Sequence, residues 1–150
     1  MKIAIGGDHA TVIIKKTIVD MLKQEGHEVF DFGTFTTESV DFPDYGQKVA
    51  EAVASGEFER GIVICGTGIG ISISANKVKG IRCALCSDVF SAKATRLHND
   101  TNVLALGERN TGVGVALEIV KAWIDTPFSG DERHVRRVGK IMAIEEKYFK

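Results

Sequence analysis

An apolar run at residues 62–64 leads into Cys65 and then into a glycine-rich turn at 66–70, with the sequence G-T-G-I-G. A short continuous apolar run is typical of a strand buried on both faces of a parallel sheet. The turn precedes a helix-like segment, so its backbone N–H groups are left uncovered where an anion is favoured. The same positive field favours a thiolate. This segment therefore predicts a strand–turn–helix unit that places a reactive thiol beside an oxyanion or phosphate cradle.

The remaining chain alternates strand-like and helix-like segments with short joins. The predicted strands are 2–6, 27–32, 61–65, 80–85 and 102–106. The predicted helices are 10–25, 44–54 with Asp44 as N-cap, the segment from the glycine turn to 77, one capped by Ser87-Asp88 and running to 98, 112–125 and 132–148. This order predicts an α/β fold, a Rossmann-like three-layer α/β/α sandwich with a parallel sheet of about five strands. We expect residues 1–150 to form one domain.

Composition and charge exclude several classes of function. The chain has 19 basic and 20 acidic residues and a net charge of −1, so it has no bulk basic field that would attract nucleic acid. No apolar run approaches the roughly 20 residues that span a bilayer. The first five residues run straight into a strand and leave no room for a signal peptide. The sequence therefore predicts a cytoplasmic protein that binds neither nucleic acid nor membrane.

The three cysteines do not suggest a disulfide framework, because their number is odd. Cys83 and Cys86 have C-x-x-C spacing but lie in a strand-like run, where residues three apart point to opposite faces. We expect both to be buried and structural. No cluster has the spacing of metal ligands, so neither a metal nor another cofactor is expected.

Three turns follow the first, third and fifth predicted strands. They are Gly7-Asp8-His9, the turn at 65–70 and Gly107-Glu108-Arg109. In open parallel sheets, ligands bind beyond the carboxyl ends of the strands, so these turns are candidates for one site. A Walker A loop is excluded because Thr67 stands where its lysine should be, and the dinucleotide fingerprint fails because its third glycine position holds Ile71. A catalytic site and a non-catalytic phosphate- or nucleotide-binding module both remain open.

Five blocks of the sequence resemble the type B ribose-5-phosphate isomerases. The blocks are G-D-H at 7–9, D-F-P-D-Y at 41–45, I-C-G-T-G-I-G-I-S at 64–72, A-N-K at 75–77 and H-N-D-T-N at 98–102. They occur in order, and the similarity extends to Arg137. The same family includes allose-6-phosphate and galactose-6-phosphate isomerases.

The resemblance implies a catalytic role for two residues of the glycine turn. Cys65 would be the base that takes the proton from C2 of the sugar, and Thr67 would hydrogen-bond the substrate or the thiolate. The backbone cradle for the enediolate oxygens would be formed by Gly66, Gly68, Ile69 and Gly70.

Other residues would bind the sugar and its phosphate. The resemblance implies that Asp8 binds sugar hydroxyls, His9 approaches the phosphate and Asn99 binds the open chain. It also implies a third catalytic residue, His98, as the acid/base that opens the furanose ring. The phosphate would be held by Arg109, Arg133 and Arg137. His134, next to Arg133, is expected to be a solvated neighbour.

The implied activity is the metal-independent interconversion of ribose 5-phosphate and ribulose 5-phosphate, a step of the pentose phosphate pathway. A six-carbon phosphosugar is the alternative substrate. The resemblance also implies a homodimer, or a dimer of such dimers, whose sites each combine Cys65 of one chain with His98, Asn99 and Arg109 of the other. The helix at 132–148 is expected to pack on that partner.

Overall fold

Five strands form a single sheet in the computed structural model, which describes residues 1–149. They are β1 (Lys2–Gly7), β2 (Glu28–Asp31), β3 (Arg60–Cys65), β4 (Cys83–Leu85) and β5 (Val103–Gly107). Every pair of neighbours is parallel, and the order across the sheet is β2-β1-β3-β5-β4. The predicted sheet is therefore confirmed, with β1, β3 and β5 adjacent at its centre.

Six α-helices connect or follow these strands. They are α1 (Val12–Gln24), α2 (Phe42–Ala54), α3 (Ile69–Ala75), α4 (Val89–Asn99), α5 (Val113–Asp125) and α6 (Glu132–Tyr148). Within residues 1–149, none of them combines the length and the apolar character that crossing a membrane requires.

The two faces of the sheet build two separate hydrophobic clusters. Ile62 and Ile64 of β3 lie in a cluster with residues of α1, α4 and α5, whereas Val63 and Cys65 lie in a second cluster with residues of α2 and α3. This division follows from the alternation of side chains along a strand. It also separates Cys86, which belongs to the first cluster, from Cys83, which packs against the second. The three-layer α/β/α architecture is thereby confirmed.

Some predicted boundaries were wrong. The helix predicted at 10–25 begins as a 3-10 turn, His9–Thr11, because the Asp8 carboxylate accepts a hydrogen bond from the Ala10 N–H at 2.9 Å. The helix predicted at 44–54 begins at Phe42, so Asp44 lies in its first turn and is not the N-cap. Pro43 explains the early start, since proline is favoured at the beginning of a helix.

Two other elements are shorter than predicted. The strand predicted at 80–85 is reduced to Cys83–Leu85, because Gly80 has a positive φ of 88° and the Arg82 N–H donates to the Asn102 side chain at 2.8 Å. The helix predicted to continue to residue 77 ends at Ala75.

A buried ion pair fixes the segment that follows β2. Lys15 is only 1% exposed, and its ammonium donates to Asp31 Oδ1 at 2.6 Å and to the Thr34 carbonyl oxygen at 2.7 Å. Thr34 in turn donates its N–H to the Gly7 carbonyl oxygen at 2.8 Å. Lys15 therefore ties this segment to the carboxyl end of β1, directly before Asp8.

We expect Lys15→Met to lower the free energy of unfolding by about 2–4 kcal/mol, because it leaves Asp31 without its buried cationic partner. Urea denaturation monitored by circular dichroism measures this change. Lys16→Met is the matched control, since Lys16 is 75% exposed and pairs with Asp20 on the surface; its effect should stay below about 0.5 kcal/mol. Equal effects of the two substitutions would contradict the importance of the buried pair.

Candidate active site

The three turns singled out in the sequence come together at the carboxyl edge of the sheet. The register places Gly7 beside Ile64 and Cys65 beside Gly107. Hydrogen bonds continue this alignment beyond the strands: the Asp8 N–H donates to the Ile64 carbonyl oxygen at 3.2 Å, and the Arg109 N–H donates to the Gly66 carbonyl oxygen at 2.8 Å. One surface therefore carries residues from the ends of β1, β3 and β5.

The thiol of Cys65 lies inside the glycine turn. Its sulfur accepts a hydrogen bond from the Gly68 N–H at 3.1 Å, and the residue is 4% exposed. Gly68 has a positive φ of 76°, and a Cβ atom there would lie 2.7 Å from the Leu106 carbonyl carbon. Only glycine suits that position. Since α3 has only seven residues, an anion at this turn would be stabilised by individual N–H groups more than by a long helix dipole.

The outer part of the turn stays open to solvent. Thr67 is exposed, and its hydroxyl oxygen accepts a hydrogen bond from the Ile69 N–H at 3.3 Å. Ile69 is 52% exposed, and Gly70 lies so close to the ring of Phe42 that an added Cβ would approach the ring to 2.6 Å. The missing side chain at Gly70 thus allows Phe42 to pack against the turn, and Thr67 and Ile69 form its exposed part.

Arg109 covers this turn in its own chain. Three atoms of its side chain lie 3.4–3.5 Å from the position of a Cβ added to Gly66. Arg109 was expected to accompany His98 from the other chain, whereas its side chain lies beside Gly66 of its own chain. The physical reason is the sheet order, because β5 is the direct neighbour of β3 and its turn reaches the Cys65 turn.

The end of β1 contributes Asp8 and His9. Asp8 is 8% exposed and uses one carboxylate oxygen to cap the turn that follows it. His9 Nδ1 accepts a hydrogen bond from the Val40 N–H at 3.2 Å. In the neutral ring this leaves Nε2 protonated and available as a donor.

A second group of predicted residues lies on α4 and α6. His98 and Asn99 are exposed at the end of α4, and Arg133 and Arg137 are exposed on α6, which packs against α4. The structure brings these four residues into one region. None of them lies at the carboxyl edge of the sheet.

The prediction that His134 is a solvated neighbour of Arg133 is wrong. It is 5% exposed rather than solvated, its ring lies 4.6 Å from that of His98, and its Nδ1 is 2.7 Å from Ser129 Oγ. Burial, followed by the proximity of His98 and Arg133, lowers the pKa of His134. The helical period could have indicated this burial, since His134 lies one turn before Val138 on the less exposed side of α6.

The two groups of residues occupy opposite edges of the sheet. The chain returns from His98 to the sheet at Asn102, whose carbonyl oxygen accepts a hydrogen bond from the Gly61 N–H at the start of β3. Cys65 lies at the other end of the same strand. Four residues of strand span about 13 Å. Groups that transfer protons to one substrate act over a hydrogen bond or through one water. A single chain therefore does not bring Cys65 and His98 to the same substrate.

The parallel α/β sheet, the thiol in its glycine turn and the arginine beside that turn define an isomerase of the sugar-phosphate class. Residues 3–141 match the family model described as Ribose/Galactose Isomerase, and the chain belongs to this family. Ribose-5-phosphate isomerase B of Escherichia coli (strain K12) is 51% identical over 146 residues, which cover 97% of each chain.

Solved structures agree with this assignment. The structure of ribose-5-phosphate isomerase B from Clostridium thermocellum superposes with a TM-score of 0.96 at 59% identity and covers 99% of both chains. The type B ribose 5-phosphate isomerase of Trypanosoma cruzi superposes with a TM-score of 0.96 at 47% identity and covers 99% of this chain and all of its own.

We expect iodoacetamide to alkylate Cys65 before the other two cysteines near neutral pH. The Cys65 sulfur accepts a hydrogen bond from the Gly68 N–H. Burial of the Cys83 thiol and the proximity of Cys86 raise the pKa of Cys83. Burial and the nearby Asp88 carboxylate raise the pKa of Cys86 to about 11. Peptide mass spectrometry over a time course measures the order. Cys83, which was expected to be buried, is partly exposed as a residue, whereas Cys65 and Cys86 are buried. Exposure alone would therefore favour Cys83, and faster labelling of Cys83 would contradict a reactive thiol at Cys65.

Proposed function

We propose that this isomerase interconverts D-ribose 5-phosphate and D-ribulose 5-phosphate, as in the pentose phosphate pathway. The observation that carries the proposal is the Cys65 sulfur, held by the Gly68 N–H at the mouth of the glycine turn. Aldose–ketose isomerisation needs a base that takes a proton from C2 and returns it to C1, together with donors for the enediolate oxygens. Cys65 and the backbone of residues 66–70 supply both requirements.

In the proposed reaction, the Cys65 thiolate removes the proton from C2 of the open-chain aldose. The electrons of that C–H bond form the C1–C2 double bond of a cis-enediolate, whose oxygens are stabilised by the N–H groups of the turn and the Thr67 hydroxyl. A proton moves from O2 to O1, Cys65 returns its proton to C1, and the ketose is formed. Asp8 binds the sugar hydroxyls.

The phosphate group is assigned to the arginines and to His9. Guanidinium groups stay charged at all relevant pH values and bind phosphate oxygens through two parallel hydrogen bonds. Arg109 lies beside the glycine turn, whereas Arg133 and Arg137 lie in the same region as His98. Phosphate binding at a distance from the reacting carbons supplies binding energy that positions them.

Two alternatives are less well supported. A six-carbon phosphosugar requires the same chemistry, and assays with different sugars distinguish it. A non-catalytic phosphate-binding module could use the glycine turn. Such a module needs neither a thiol held by a backbone N–H nor the imidazole of His98.

We further propose that the enzyme is a homodimer with shared sites. Each site would take Asp8, His9, Cys65, Thr67 and Arg109 from one chain and His98, Asn99, Arg133 and Arg137 from the other. Support comes from the separation of the two groups within one chain and from the unpartnered apolar side chains of α6: Val135, Ile141, Ile144 and Tyr148 are 44–68% exposed. A two-fold axis then forms two equivalent sites.

A coupled assay with ribose 5-phosphate, allose 6-phosphate and galactose 6-phosphate tests the proposed activity. We expect ribose 5-phosphate to have the highest kcat/KM and Cys65→Ala to lower its kcat by about 10³-fold, because the variant loses the base. Cys83→Ala is the control and should leave kcat unchanged. Near-normal turnover by Cys65→Ala would contradict the role of Cys65, and a preference for either hexose phosphate would contradict the substrate.

Co-refolding two inactive variants tests the shared site. If Cys65→Ala chains pair randomly with His98→Asn chains, about half of the dimers are mixed and each has one site without a defect, so about a quarter of the wild-type activity should return. Sites built from single chains would each keep one defect. No recovery, with mixed dimers demonstrated by native mass spectrometry, would therefore rule out sharing.

A further inference from the structure

Asp100 gives the chain a sharp corner directly after His98 and Asn99. Its backbone lies in the left-handed region, with φ 47°, and it is the only non-glycine residue within 1–149 with a positive φ. Aspartate tolerates this conformation better than most side chains, yet it is uncommon outside glycine. The path of the chain at this point is therefore specified by contacts of Asp100.

Two arginines hold Asp100 from different directions. Arg96, one turn earlier in α4, donates to Asp100 Oδ1 at 2.9 Å. Arg82, from the segment before β4, lies 3.3 Å from Asp100 Oδ2 and donates to the Asp100 carbonyl oxygen from Nε at 2.9 Å and from Nη2 at 2.8 Å. Both the side chain and the backbone of the corner are thus fixed.

The arginines are themselves anchored in the fold. Arg96 is 2% exposed and donates to the carbonyl oxygens of Thr101 at 2.6 Å and Thr126 at 3.2 Å. Arg82 reaches Met142 of α6, with Nη1 3.4 Å from its sulfur, and lines one cavity of about 300 Å³ together with Asn99. Asp100 therefore connects α4 with the segment before β4 and, through Arg82, with α6.

Positive charge accumulates around this carboxylate. Arg60 lies near Arg96 and Arg82, and burial together with Arg96 lowers its pKa, whereas Asp100 opposes that effect. Without the Asp100 charge, a nearly fully buried Arg96 would lose its carboxylate partner while staying close to another guanidinium. The corner would then relax, because buried charges need a partner.

We propose that Asp100 is a positioning residue for ring opening, holding the end of α4 so that His98 reaches the ring oxygen of the substrate. This inference rests on the proposed function, in which His98 opens the furanose. It predicts that loss of the Asp100 charge impairs the step that needs His98 more than the proton transfer at Cys65.

A four-carbon sugar separates the two steps. In erythrose 4-phosphate the C4 hydroxyl carries the phosphate, so the furanose cannot close and no ring needs opening. His98→Asn sets the reference, because it should lower turnover of ribose 5-phosphate far more than turnover of the four-carbon sugar. Asp100→Asn keeps a residue that tolerates the left-handed backbone while removing the charge. We expect its kcat to fall about tenfold on ribose 5-phosphate and less than about threefold on erythrose 4-phosphate. A misplacement of about 1 Å can cost about 10²-fold, and asparagine should displace His98 by less than that.

The control is Asp20→Asn, which removes an exposed ion pair with Lys16 and should not change either rate. Equal losses on both sugars with Asp100→Asn would mean a merely structural role and overturn the inference. If His98→Asn shows no difference between the sugars, the ring-opening role itself is wrong and the inference fails with it.

If Asp100→Asn does not fold, Arg82→Gln is measured in the same way. This substitution releases the Asp100 carbonyl oxygen while leaving the contact with Arg96. Equal losses on both sugars with Arg82→Gln would also refute the inference.

Discussion

The common direction of the five strands determines where every functional residue can lie. Because all strands run parallel, each strand ends at one edge of the sheet and each connecting helix returns the chain to the other. Cys65 ends a strand and His98 ends a helix, so they lie at opposite edges. No local change of conformation alters this. This separation within one chain is the reason that we propose a site completed by a second chain.

The fold was largely predictable from the sequence because its signals are local. The apolar run at 62–64 and the alternation of strand-like and helical segments specify the parallel sheet, and Asp88 caps α4 through the Ser91 N–H at 2.7 Å as predicted. The predicted boundaries were wrong where contacts with distant residues determine the end of a helix or strand. The segment before β4 leaves the strand because the Arg82 N–H donates to Asn102, twenty residues away in the chain. Residue propensities carry no information about a contact at that distance along the chain.

The candidate site was predictable to a similar extent. The glycine turn marks Cys65, and the turns after β1 and β5 fall beside it because the sheet order makes these strands neighbours of β3. The burial of His134 against His98 and the position of Arg109 over the turn of its own chain were not foreseen. Both depend on contacts between residues that are 36 and 43 positions apart in the sequence. Apart from the helical period at His134, neither composition nor residue spacing indicates these contacts.

The most direct test of a site shared between chains is a short-range thiol cross-link. In a variant with Cys83→Ala and Cys86→Ala, His98→Cys leaves two thiols, one at each edge of the sheet. A bifunctional maleimide that spans less than about 10 Å cannot join these two thiols within a chain. The four residues of β3 between Gly61 and Cys65 already separate the two edges of the sheet by about 13 Å. Shared sites predict covalent dimers on a denaturing gel, absent when Cys65 is also replaced by alanine. Cross-linking confined to single chains would contradict the shared site.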